Sequence, residues 1–173
     1  MKTWLRLTLI TMTVGGGFAG IAVTLQALFN SPVASTLNLL AMIVFLGLYV
    51  FVTISGLIFV HDPKRTGPLM AALAIQIPSV SSSFIVYKFA VGVRAFLMVS
   101  GSEGPNTPAV RLSWDFFLGS SWTFSLLRDK PPGIGVNVAA LAILAYSWQA
   151  LRSGGDQPSP TQPESEGPAT WVP

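Results

Sequence analysis

Side chains that could do chemistry are scarce in this chain of 173 residues. It contains one histidine, His61, and no cysteine, so a thiolate nucleophile and a zinc site built from cysteine and histidine are both excluded. Asp115 and Asp129 have no partner carboxylate at a recognisable spacing, and no common phosphate-binding, hydrolase or metalloprotease motif occurs. His61 and Asp62 fit a polar helix end better than a single haem ligand. The sequence therefore predicts a non-catalytic protein without a cofactor or metal.

The distribution of charge indicates an integral membrane protein. Only 17 residues, 10 Lys or Arg plus 7 Asp or Glu, are charged, which is 10% of the chain, whereas soluble domains carry roughly 25%. No charged residue occurs from Leu7 to His61, and a soluble folded surface of that length would require several. The charge-poor segments lead us to expect membrane lipids as partners. Because the cations form no basic stripe, we expect no binding to nucleic acid.

Three apolar segments are long enough to cross a hydrocarbon core of about 30 Å as helices. They lie at about residues 7–29, 37–60 and 131–152. A fourth span over residues 69–87 is the alternative, but Pro78 and a group of serines would then lie near the middle of the bilayer. We therefore interpret the start of that segment as a short apolar helix.

Basic residues predict the orientation of the first two spans. Lys2 and Arg6 precede the first span, and Lys64 and Arg65 follow the second, so the N-terminus is expected in the cytoplasm of a bacterial-type inner membrane. A cleaved signal peptide would also begin this way, and Gly17-Phe18-Ala19 resembles a small-residue cleavage site. The apolar run continues well past that site, which favours a retained anchor.

Period-two alternation predicts a small antiparallel sheet in the middle of the chain. Apolar residues occupy every second position over residues 85–99 and again, except at Ser120, over 113–127. Gly92 is expected to mark a bend, bulge or break in the first segment, and residues 119–121 a turn or bulge in the second. A loop over residues 100–108 joins them. The pattern favours three or four strands with one strongly aromatic face.

These segments predict an integral membrane α+β fold with four regions. They are a two-helix hairpin at 1–67, a short helix and sheet at 68–130, a transmembrane helix at 131–152 and a disordered tail at 153–173. If residues 69–87 do not cross the bilayer, the sheet lies on the cytoplasmic side with most of the cations. If they cross, the cations divide equally between the two sides.

Three sets of residues are candidates for contacts. Gly16 and Gly20 form a small-residue pair that packs either on a partner helix or on the second helix of this chain. The aromatic face is a candidate hydrophobic contact surface and includes Trp114, Phe116, Trp122 and Phe124. Four cations nearby are candidate contacts for phosphate or lipid headgroups, namely Lys88, Arg94, Arg111 and Arg128.

Two classes of function follow from these features. The first is a non-catalytic accessory, assembly or interaction subunit that binds another membrane protein or its own copies. The alternative is a lipid-handling or transport protein that acts as a homo-oligomer. The glycine pair and the serine-rich segment at 79–83 are the features that suggest it. Apart from Arg152 at the end of the third, none of the three predicted spans contains an acidic or basic residue, which weakens the case for a transporter.

Overall fold

A computed structural model of the protein describes residues 3–30, 36–101, 110–126 and 131–153. Helices come first along the chain, strands follow, and a last helix closes the described part. The helices are α1 (Thr3–Ile10), a π-helical turn (Thr11–Gly15), α2 (Gly16–Asn30), α3 (Thr36–His61), α4 (Gly67–Ile75) and α5 (Val138–Ser153). The strands are β1 (Pro78–Ser81), β2 (Ile85–Ala90), β3 (Val93–Gly101), β4 (Val110–Leu118), β5 (Ser121–Leu126) and β6 (Gly133–Asn137).

The first two apolar segments form a helical hairpin. Helix α1, the π-helical turn and α2 run on as one helix of 28 residues, and α3 has 26. Both are long and apolar enough to cross a membrane. Helix α3 ends at His61 because Pro63 disfavours a helical conformation in the residue before it.

The third predicted span is not a single helix. Residues Gly133–Asn137 form strand β6, and α5 begins only at Val138 and has 16 residues, so it is roughly 24 Å long. Glycines at alternate positions oppose a helix here, and the side chain of Asn137 accepts a hydrogen bond from the N–H of Ala140, as a helix cap does. Residues 69–87 also form no span, because α4 ends at Ile75 and a strand follows.

The predicted mixture of helices and an antiparallel sheet is confirmed, with more strands than expected. Strands β2 and β3 are two halves of one long segment, and β4 and β5 are two halves of the next. They pair in one uninterrupted antiparallel register from Ile85 opposite Leu126 to Gly101 opposite Val110. This two-stranded ribbon bends in its middle at Gly92, where φ is +78°, and at Gly119, where φ is +134°.

Strands β1 and β6 fill the space between the two halves of the bent ribbon. They pair with each other, β1 also pairs with β2, and β6 also pairs with β3. The order across the sheet is therefore β4-β3-β6-β1-β2-β5. Sequence patterns missed β1 because it has only four residues, and β6 because its small and apolar residues fit a helical span equally well. The loop predicted at 100–108 and the tail at 153–173 lie almost entirely outside the described residues.

The helical hairpin has a different partner along each half of its length. At the end near Arg6 and His61, Leu9 and Phe59 pack against Leu73 of α4 and Leu144 of α5. Along the other half, three residues of α3 pack against β2 and the bend that follows it: Phe45, Tyr49 and Val52. The sheet thus lies beside the half of the hairpin remote from Lys64 and Arg65, whereas the count of cations favoured the same side.

Replacing Gly92 by alanine tests the bend. A Cβ atom at this position would lie 2.9 Å from the Cα of Met12, and φ is +78°, so we expect a loss of stability of at least about 1–3 kcal/mol, the cost of left-handed backbone in a non-glycine residue. Gly47→Ala is the matched control, because nothing lies within 4 Å of its added Cβ. Denaturant unfolding of the purified protein in detergent, followed by tryptophan fluorescence, measures both. Equal stability of the two variants would contradict the close approach.

Candidate functional site

The bend of the ribbon packs against the long helix formed by α1, the π-helical turn and α2. Gly92 lies against Met12, and a Cβ on Gly16 would come within 2.6 Å of the N atom of Gly92. The hydroxyl of Ser120 donates a hydrogen bond to the Gly16 carbonyl oxygen and accepts one from the Gly92 N–H at 3.3 Å. Since two backbones meet here without a side chain between them, the sheet has one fixed position on the helices.

Two buried amide side chains connect the bend to the short helices. Gln76, 2% exposed, accepts a hydrogen bond from the N–H of Val91 at 3.0 Å and donates one to the carbonyl of Ala72 at 2.9 Å. Asn137 is fully buried and accepts from the N–H of Ala95 at 3.2 Å. Sequence reasoning missed both residues. The signal that could have found them is that an amide in such a segment must find backbone partners.

The predicted glycine pair is divided between two contacts. A Cβ on Gly20 would overlap the ring of Tyr49, so Gly20 does lie between the two long helices. Gly16 instead faces the bend of the ribbon. The helix crossing is completed by two glycines outside the predicted pair, since Gly17 faces Thr53 and Gly56 faces Thr13. The close approach of the two helices is therefore internal to this chain.

The bend also divides the four predicted aromatic residues. Trp122 and Phe124 pack on Phe45 of α3, with ring centroids 4.8 Å and 6.2 Å apart. Trp114 and Phe116 lie on β4, 62% and 56% exposed. The pairing register places the four on one face of the sheet, but the helices cover only the half of that face that contains β2 and β5.

The remaining half of that face is uncovered. Directly paired residues point to the same side of a sheet, and Trp114 is paired with Leu97, Leu112 with Val99, and Val99 with Ile134. We call this surface the uncovered face. Its exposed residues are Leu97, Val99, Val110, Leu112, Trp114, Phe116, Leu118 and Ile134.

The three predicted cations within the described residues lie on the opposite face of the sheet. Arg94 makes an ion pair with Asp115 at 3.0 Å and donates to the Ser121 hydroxyl at 3.0 Å, so it is engaged within the sheet rather than available to a headgroup. Lys88 is half-buried and Arg111 is exposed on β4. Arg128 lies outside the described residues.

Strand β4 forms one edge of the sheet, and no described strand pairs with its outer side. In β3 the N–H of Gly101 points away from β4, to the carbonyl of Pro132. Backbone groups alternate along a strand, so the even-numbered residues of β3 bond to β4 and lie opposite odd-numbered residues of β4. The even-numbered residues of β4 therefore direct their N–H and C=O groups outward, including those of Leu112, Trp114 and Phe116.

Other features with chemical potential are few in the described part of the chain. No group of three His, Cys, Asp or Glu side chains there could hold a metal ion. Burial raises the pKa of Tyr87, and the hydroxyl of this residue donates to the carbonyl of Ile75 at 3.2 Å. An open apolar groove of about 400 Å³ lies at one end of the uncovered face, between Val99, Val110 and Ile134.

No family model, curated protein or solved structure matches the chain. Its function is therefore inferred from its own residues. Among the described residues, the uncovered face and the edge of β4 are the arrangements best suited to bind something else.

Replacing Gln76 by alanine tests the hydrogen bond that links the end of α4 to Val91 at the bend of the ribbon. The change leaves the N–H of Val91 buried without a partner, so we expect a loss of about 1–3 kcal/mol in unfolding free energy. Gln26→Ala is the matched control, because Gln26 is exposed on α2 and such changes are usually within about 0.5 kcal/mol. Denaturant titration in detergent compares the two, and a Gln76 variant as stable as the control would show that this amide is dispensable.

Proposed function

We propose that this protein is a multi-pass protein of a bacterial-type inner membrane that acts as a non-catalytic interaction subunit. Its N-terminus lies in the cytoplasm, and the uncovered face docks on another protein in or at the membrane. The observation that carries the proposal is that one continuous apolar face packs on the helices over half of the sheet and is bare over the other half. Contiguous exposed apolar surface of this kind marks interaction sites.

The covered half supports this interpretation by showing what the same face does when it has a partner. Trp122 stacks on Phe45 with an angle of 16° between the rings, and Phe89 packs on Phe45 and Tyr49. The uncovered half carries side chains of the same kind. An aromatic residue buries about 150–250 Å² when it is covered, so two such residues alone would make a substantial anchor.

Lipid could cover these side chains, but it cannot satisfy the edge of β4. Acyl chains offer no partner to the outward N–H and C=O groups of that strand, and each unsatisfied group in hydrocarbon costs several kcal/mol. A protein strand or polar side chain supplies such partners. This requirement favours a protein over lipid as the main occupant of the surface.

Contacts at the other end of the hairpin support the membrane placement. The guanidinium of Arg6 donates to the carbonyl of Val60 at 3.1 Å, and the rings of Trp4 and Tyr146 lie 5.7 Å apart. Aromatic and basic residues collect at the cytoplasmic interface of membrane proteins. Helices α1–α2 and α3 would extend from there across the bilayer, with the sheet alongside their distal half.

A second candidate function is lipid handling by a homo-oligomer. The apolar groove between Val99, Val110 and Ile134 is the observation that favours it, because such a groove suits part of an acyl chain. Native mass spectrometry of the complex separates the two candidates. Bound lipid that is lost on Ile134→Asp while the protein stays folded favours lipid handling.

Photo-crosslinking in the membrane tests the interaction role. We expect a photoreactive benzoylphenylalanine at Leu112, on the uncovered face, to yield a discrete protein adduct because a protein surface lies against it. The same residue at Leu40 is the matched control, since Leu40 is exposed on α3 and faces lipid in the proposed arrangement. Gel mobility and peptide mass spectrometry after irradiation identify the adducts. Protein adducts that are absent at Leu112, or equal at the two positions, would refute docking at the uncovered face.

A further inference from the structure

The outer edge of β4 is complementary to the same edge of a second copy of this chain. We infer that β4 pairs antiparallel with β4 of a second copy of this chain, about a two-fold axis at Ser113, so that two sheets join into one. This inference rests on the proposed interaction role and names the partner of the β4 edge. The uncovered faces of the two copies then form one larger apolar face on the same side of the joined sheet.

The backbone of β4 permits such pairing. Its even-numbered residues direct N–H and C=O groups outward, as described above. A two-fold axis at Ser113 places Leu112 opposite Trp114 of the second copy and Val110 opposite Phe116, so outward groups meet outward groups along the strand. Each of these pairs can then exchange two hydrogen bonds. The edge groups that lipid would leave unsatisfied acquire partners from an identical edge.

The charges on β4 select the register. With the axis at Ser113, Arg111 of each copy lies opposite Asp115 of the other. Opposite charges at directly paired positions stabilise a sheet by roughly 0.2–1 kcal/mol, and like charges destabilise it. An axis at Trp114 would place Arg111 opposite Phe117, and an axis at Asp115 would bring two carboxylates together. Only the Ser113 register forms two ion pairs.

Both partners of the ion pair are available. Arg111 is exposed and forms no ion pair within the described part of the chain. The Asp115 side chain is 44% exposed although it already binds Arg94, and a carboxylate has acceptor positions for a second cation. On the other side of the sheet, the same register places Leu112 and Trp114 of the two uncovered faces side by side.

Cysteine crosslinking tests the axis directly, because the protein has no cysteine of its own. In the Ser113→Cys variant the two cysteines would form a non-hydrogen-bonded antiparallel pair with Cβ atoms about 4.5–5.5 Å apart, close to disulfide geometry. Mild oxidation of membranes should yield at least about tenfold more disulfide-linked dimer than Thr123→Cys. Thr123 is the matched control because it is exposed on β5, the opposite edge of the sheet.

The ion pair provides an independent check on the register. In the Ser113→Cys background, Arg111→Glu should greatly reduce the dimer because it places a carboxylate opposite Asp115, whereas Arg111→Lys should retain it. Since Arg111 is exposed, both variants are expected to unfold at the denaturant concentration of the parent, which the fluorescence titration verifies. A dimer unchanged by Arg111→Glu would overturn this register.

The outcomes also separate this inference from the proposed function. If Ser113→Cys yields no more dimer than Thr123→Cys, or if Trp114→Cys crosslinks more strongly than Ser113→Cys, the pairing inferred here is wrong. If the photo-adduct at Leu112 is a different protein, the interaction role stands, and the cysteine crosslinks alone decide whether the edge of β4 also pairs with a second copy. If that adduct contains the chain itself and Ser113→Cys crosslinks, both are supported.

Discussion

The contact between the bend of the ribbon and the first helix determines where everything else lies. Gly92 and Gly16 bring two backbones together with only Ser120 to bridge them by hydrogen bonds. Because the ribbon bends at this point, one half turns onto the helices and the other half turns away. The buried packing on Phe45 and the bare surface around Trp114 are thus two results of the same constraint.

A strand pattern that is visible in the sequence does not reveal which half of a bent strand is covered. The alternation over residues 85–99 and 113–127 predicted the two long segments, the shared aromatic face and the special role of Gly92. It could not separate Trp114 from Trp122, because both have the same position in the alternation. Their difference arises from the contact at Gly92, which joins residues about 80 positions apart in sequence and leaves no local pattern.

In the last apolar segment, composition indicated a buried segment but not its secondary structure. Residues 131–151 are uncharged and mostly apolar, and such a run suits a helical span as well as a buried strand followed by a helix. The strand is selected by partners on both sides, β1 and β3, that sequence spacing did not place there. Likewise, Gln76 and Asn137 became recognisable as structural residues only when their backbone partners were known.

The two glycines of β6 also restrict the register in which this strand can pair with β3. Gly135 lies under the side chain of Met98, and a Cβ on Gly133 would be 3.0 Å from the Cβ of Ser100. A slip of β6 by a single residue would turn Ile134 and Val136 toward these neighbours, where there is no room for them. Helix α5 begins immediately after this strand. The two glycines, by fixing the register of β6, therefore also determine how α5 is rotated about its axis and which of its residues reach Leu9 and Phe59.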